Sequence, residues 1–149
     1  MTWNGAPTVY YGDEAGVTGW TDPDNRRTYP WGREDMELIA FHKAAISLRK
    51  EYPVLRHGSL KQLYGAYGVL AYGRFDEKEK ILVALNNTEE IRTVSIPVWQ
   101  IGVQAEGTLQ NCLMTNRDGF PVFGFSYPVR NGNVLLSLPP KSAMAVREI

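Results

Sequence analysis

Apolar and polar positions change their period twice along the chain of 149 residues. Past residue 58, short alternating or continuous apolar runs recur between turn formers, which is the signature of strands. They predict eight, over residues 60–64, 69–75, 81–86, 92–96, 108–114, 121–127, 134–138 and 143–147. Residues 76–80 read as a charged hairpin tip, and Asn131-Gly132 as a two-residue hairpin turn. So many short strands in one stretch imply a β-sandwich with Greek-key links. Before it, residues 34–52 carry Leu38, Phe41, Ala45, Leu48 and Tyr52 three or four apart, the single apolar face of a helix. Asp35 is placed to cap its start, and Pro53 to end it.

The first 33 residues follow neither period. One apolar run, residues 7–11, reads as a buried strand. Residues 12–33 form a long loop crowded with turn formers such as Gly16, Gly19, Asp22-Pro23 and Tyr29-Pro30. A lone strand cannot satisfy its backbone groups or cover both of its faces. The expectation is that this segment closes a larger unit, with its companion strands outside the 149 residues.

Composition narrows the function. Hydrophobic residues make up 44% and charged residues 21%, ordinary values for a globular chain. Lys plus Arg and Asp plus Glu are both 16, so no net basic field draws the chain to nucleic acid. No apolar run approaches the roughly 20 residues of a membrane span. The start Met1-Thr2-Trp3-Asn4 lacks the pattern of a signal peptide, so a cytoplasmic location is expected. Cys112, the one cysteine, has no internal disulfide partner and reads as a small core residue. His42, His57 and Cys112 lie far apart in sequence and do not suggest a zinc site. No cofactor pattern is present. Asn86-Asn87-Thr88 fits a glycosylation sequon but reads as a strand-end turn. Tyr64, Tyr67, Tyr72, Phe75, Phe120, Phe123, Phe125 and Tyr127 mostly suit a sandwich core.

The candidate chemistry lies in the first segment. Gly5-Ala6-Pro7-Thr8-Val9-Tyr10-Tyr11-Gly12-Asp13-Glu14 is followed by Asp22-Pro23-Asp24-Asn25-Arg26-Arg27 and Pro30-Trp31. The helix ends in Leu48-Arg49-Lys50-Glu51-Tyr52-Pro53-Val54-Leu55-Arg56. In this order the three parts resemble the C-terminal region of glycoside hydrolase family 13, the α-amylase superfamily. Its last sequence block has the form Gly-x-Pro-x-(Ile/Val)-Tyr-Tyr-Gly-x-Glu. The Asp-Pro-Asp-Asn-Arg-Arg run is most similar to the cyclomaltodextrinase, neopullulanase and maltogenic amylase branch.

That resemblance implies a mainly β chain with two domains. Residues 1–57 would be the last strand, loop and helix of a (β/α)8 barrel, and residues 58–149 the C-terminal β-sandwich called domain C. The family's catalytic Asp, Glu and Asp lie on earlier barrel strands, and nothing here matches their motifs. The implied role is the C-terminal part of a retaining α-glucan hydrolase, without activity by itself. Its implied partners are an α-glucan oligosaccharide and the rest of the barrel, with self-association through uncovered apolar surface as a further expectation. Loops after barrel strands form the active-site face, and by resemblance Asp22 and Arg26 match positions that contact glucose units. The alternative is an Asp22–Arg26 or Asp24–Arg27 ion pair that shapes the loop, the favoured reading when these residues stand alone.

The residues also support readings of their own. Retaining glycosidases need two carboxyl groups about 5–5.5 Å apart. Asp13 and Glu14 are adjacent and read as polar residues pinning a turn. Trp20 could be a sugar platform or packing, whereas Trp31 beside Pro30 reads as packing. A non-catalytic sandwich that binds carbohydrate through Tyr64 and Tyr67, or a purely structural sandwich, are the other functions left open.

Overall fold

The computed structural model describes residues 1–120 and 124–149. Helix α1 spans Met36–Glu51, two residues later than the sequence suggests at its start. Asp35 is its N-cap: the side chain accepts a bond from the Leu38 amide at 2.9 Å, satisfying one of the first unpaired N–H groups. At the far end Arg56 donates to the carbonyls of Arg49 and Lys50, both at 2.7 Å. Pro53 ends α1 and opens a second, one-turn helix, α2 (Val54–His57), which the apolar pattern did not mark.

Eight strands follow: β1 (Ser59–Ala66), β2 (Val69–Phe75), β3 (Lys80–Asn86), β4 (Arg92–Ile96), β5 (Gly107–Thr115), β6 (Ser126–Arg130), β7 (Asn133–Leu138) and β8 (Ser142–Glu148). They form one antiparallel sheet in the order β1-β2-β3-β8-β5-β6-β7-β4. Strands β5, β6 and β7 are sequential neighbours, and β4 lies beyond β7, which is a Greek key. The Asn131-Gly132 turn joins β6 to β7 with φ of 49° and 73°, the positive pair that such a tight hairpin demands.

The sheet curls over one core. Leu82 and Ala84 of β3, Val94 and Ile96 of β4, Val134, Leu136 and Leu138 of β7, and Met144 and Val146 of β8 all join one buried cluster. Successive strand residues point to opposite faces. Ile81 and Val83 therefore turn outward from that core, where they pack with Leu48, Val54, Leu55, Tyr72 and Ala145 in a second cluster under the helices. Both faces of β3 are covered, which explains why its sequence is a continuous apolar run while β7 alternates.

Three expectations need correction. Residues 7–11 form no strand, and Val9, Tyr10 and Tyr11 are exposed, because among the described residues no neighbouring strand pairs with them. The sixth strand is Ser126–Arg130, later than the expected 121–127; Pro121, Val122 and Phe123 lie outside the described residues. Pairing with β7 begins only at Val129, so the N–H missing from Pro128 costs no bond to β7. Among the aromatics expected in the core, Tyr72 is buried in the helix-side cluster, and Tyr64, Phe75 and Tyr127 pack against the first cluster. Tyr67, in the turn after β1, is 93% exposed, and Phe125 is also exposed.

Candidate functional site

The loop from Gly12 to Arg33 is built by local side-chain bonds rather than by a core. Gly12 and Gly16 have φ of 87° and 76° and bracket a short 3-10 turn, Asp13–Ala15. The Asp13 carboxylate accepts the Tyr10 amide at 3.2 Å, and Glu14 accepts the Gly12 amide at 3.1 Å. Both acids turn back onto the chain and pin the turn, as their adjacency suggests.

Two ion pairs shape the rest. Arg26 grips Asp22 with two donors, Nε to Oδ1 at 3.0 Å and a terminal nitrogen to Oδ2 at 2.8 Å. Arg27 donates to Asp24 Oδ1 from Nε at 2.9 Å and from a terminal nitrogen at 2.6 Å. Asp24 Oδ2 also accepts the Trp20 amide at 2.9 Å. The Arg27 bond, and then the Trp20 N–H, hold the Asp24 carboxyl below its ordinary range. A carboxyl held as its anion accepts bonds well and is unsuited to giving up a proton. The Tyr11 hydroxyl donates to the Arg27 carbonyl at 2.8 Å and ties the loop's two limbs together.

What remains outward is polar and aromatic. Trp20 is 83% exposed. Trp31 is 81% exposed and meets the Tyr29 ring at 4.5 Å, so it is not the packing residue its place beside Pro30 suggested. Arg26, Arg27 and Arg33 line an open depression of about 660 Å³ together with Thr18 and Thr28. Guanidinium forks, hydroxyls and flat rings suit a polyhydroxylated ligand. The structure brings Asp22 and Arg26 together, but it pairs them with each other.

Elsewhere the side chains are committed to the fold. Asn86 is buried at the end of β3; its Nδ2 donates to the carbonyls of Glu90, Leu138 and Pro139, and its Oδ1 accepts from Thr88. The nitrogen a glycan would take is fully used, so the sequon is a turn. Cys112 is half-buried against the helix-side cluster, and burial pushes its thiol up. The His42 ring pairs with the Leu38 carbonyl at 2.9 Å. Among the described residues no group of three or more His, Cys, Asp or Glu is arranged to hold a metal ion.

Residues 58–135 match the α-amylase C-terminal domain family. An amylopullulanase of Thermoanaerobacterium thermosulfurigenes is 33% identical over 155 aligned residues, covering 97% of this chain and 8% of its own length. Neopullulanase 2 of Thermoactinomyces vulgaris is 32% identical over 148, covering 97% and 23%. The α-amylase of Geobacillus thermoleovorans, solved with acarbose, superposes with a TM-score of 0.78 at 28% identity, over 94% of this chain and 29% of that one. The fold and the matches define a mainly β domain of the amylase type. The chain belongs to the α-amylase C-terminal domain family, and its relatives are glycoside hydrolases of family 13. It spans less than a third of each of these three relatives.

Proposed function

We propose that this chain is the C-terminal part of a retaining α-glucan hydrolase, with residues 1–57 completing a (β/α)8 barrel and residues 58–149 forming a β-sandwich packed on it. One observation carries the reading. Likeness to the amylopullulanase and neopullulanase runs through 97% of the chain, and so includes the loop and α1 as well as the β domain. In that setting residues 7–11 pair with neighbouring barrel strands and helix α1 covers the barrel's outside. The loop at 13–33 lies on the active-site face. Asp22 and Arg26 then exchange their mutual bonds for sugar hydroxyls, and Trp20 offers a stacking face. Catalytic carboxylates come from outside the chain, which alone turns over no glucan.

A second reading draws on the exposed Tyr67 ring, which suits a carbohydrate module that binds without the loop. The same experiment separates the two. Maltooligosaccharide hydrolysis is measured for the chain alone and for the polypeptide joining it to a barrel. The chain alone is expected to be inactive, and Arg26→Ala in the joined enzyme to raise KM about tenfold or more, the equivalent of one lost charged hydrogen bond. Turnover by the isolated chain overturns the proposal. Glucan binding lost in Tyr67→Ala but kept in Arg26→Ala transfers the function to the sandwich.

A further inference from the structure

Arg74 lies in β2, is 1% exposed, and is the largest fully buried side chain among the described residues. A buried charge ordinarily needs an opposite charge beside it. Among the described residues Arg74 donates only to carbonyl oxygens instead: Thr2 at 2.8 Å, Leu55 and Gly58 at 2.9 Å, and Ser59 at 3.4 Å. Arg49, on α1, follows the same plan. It donates to the carbonyls of Met1 at 2.7 Å, Trp3 at 3.2 Å, Gly5 at 2.6 Å and Leu55 at 2.7 Å. The two guanidinium groups share the Leu55 oxygen and between them collect the backbone of residues 1, 2, 3 and 5. Tyr72 adds a hydrogen bond between its hydroxyl and that of Thr2, 2.6 Å apart, and an edge contact with the Trp3 ring at 4.9 Å.

We infer that Arg49 and Arg74 are positioning residues: a two-guanidinium latch that fixes residues 1–5 to α1 and the β domain through the carbonyls of Met1, Thr2, Trp3 and Gly5, and thereby sets where the loop at 12–33 stands. Carbonyl partners make the latch sensitive to backbone path and indifferent to side-chain identity. A planar fork fixes several oxygens at once in a way an ammonium cannot. The two cations repel each other, so each needs its full set of oxygens to remain in place. The loop's other foot is held as well: the Asp35 amide donates to the Ala15 carbonyl at 3.2 Å, and a Cβ at Gly16 would meet the Asp35 side chain at 3.3 Å. Between these two feet the ion-paired loop is carried by the β domain and α1. The latch itself needs no sugar. Only its consequence for substrate rests on the function proposed above.

The test uses the full chain, its Arg49→Lys variant and its Arg74→Lys variant, with backbone amide relaxation read residue by residue. Lysine keeps the charge and loses the fork. Order parameters of residues 2–5 are expected to fall in Arg49→Lys from about 0.85 toward about 0.6 or lower, with β2 and β3 unchanged. Chymotryptic cleavage after Trp3 should quicken about tenfold, as expected for one or two lost hydrogen bonds. Residues 2–5 as rigid as in the parent overturn the latch; so does a loss of order spread evenly over the sheet. Arg74 is buried and its replacement can unfold the domain, so Arg49→Lys decides. In the enzyme joined to its barrel, Arg49→Lys should raise KM several-fold with kcat kept. If KM stays fixed while Arg26→Ala raises it, positioning of the loop is overturned. If neither variant moves KM, the glucan reading fails and the relaxation result still decides the latch.

Discussion

The β domain and the loop before α1 use similar residues for opposite ends. In the β domain, apolar side chains from strands far apart in sequence meet in one core, as Leu82, Ile96, Leu136 and Val146 do. In the loop and the run that leads into it, Tyr10, Tyr11, Trp20 and Trp31 are all exposed, and most side-chain bonds there reach only two to four residues along the chain. Non-local burial gives stability through area removed from water. Local bonds of exposed ions contribute little to it, because water competes for them. The contrast teaches that the rings of Tyr10, Trp20 and Trp31 stay at the surface, while Tyr11 spends its hydroxyl on the Arg27 carbonyl.

The largest effect to look for is a core deletion set against a loop deletion. Leu136→Ala opens a cavity where nothing is exposed and should cost about 2–5 kcal/mol. Tyr10→Ala removes a larger but exposed ring and should change stability by no more than about 0.5 kcal/mol. Urea unfolding of both variants checks this. A Tyr10→Ala cost comparable to that of Leu136→Ala would erase the distinction between the two regions.

Much of the β domain was legible because its pattern reports which face is covered. The alternation of Val134, Leu136 and Leu138 and the Asn131-Gly132 turn each specify local geometry that the packing then keeps. The run at 7–11 misled because an apolar run reports a preference for burial and says nothing about whether a partner strand is at hand. Arg74 sits in a strand placed correctly from its neighbours, yet its role was invisible: its carbonyl partners belong to residues 2, 55, 58 and 59. In the candidate site the pairing of Asp22 with Arg26 and of Asp24 with Arg27 was legible from their spacing. The exposure of Trp31 was not, since neighbours in sequence do not say which way a ring in a loop turns.

Helix α1 joins the two regions, so its cap should show an intermediate effect. The Asp35 side chain caps α1, while its amide holds the loop at Ala15. Asp35→Ala removes the first bond and leaves the second, and should cost about 1 kcal/mol. Thermal unfolding measures it. If the loss is nil, packing of Ala45 and Leu48 on the β domain holds the helix without its cap.

The smallest effect compares two carboxylates, one in each region. Asp76 accepts the amides of Lys78 and Glu79, both at 2.8 Å, at the β2–β3 hairpin tip. The Glu79 amide, then the Lys78 amide, hold its carboxyl below the ordinary 3.8. Asp24 is also held below its ordinary range, by Arg27 and the Trp20 amide. A depressed carboxyl stabilises the folded state at pH values above its unfolded value, and that contribution is lost as pH falls through the folded value. Asp76→Asn keeps an accepting oxygen and removes the charge, so it should cost about 0.5 kcal/mol near neutrality. The gap from the parent should close as pH drops below about 3.8. Asp24→Asn should leave global unfolding unchanged at every pH, because its bonds are exposed and join residues of the loop only to one another. Unfolding midpoints of both variants at pH 7 and near pH 3 separate the cases. A pH-dependent loss in Asp24→Asn would mean that the loop folds as part of the β domain's cooperative unit.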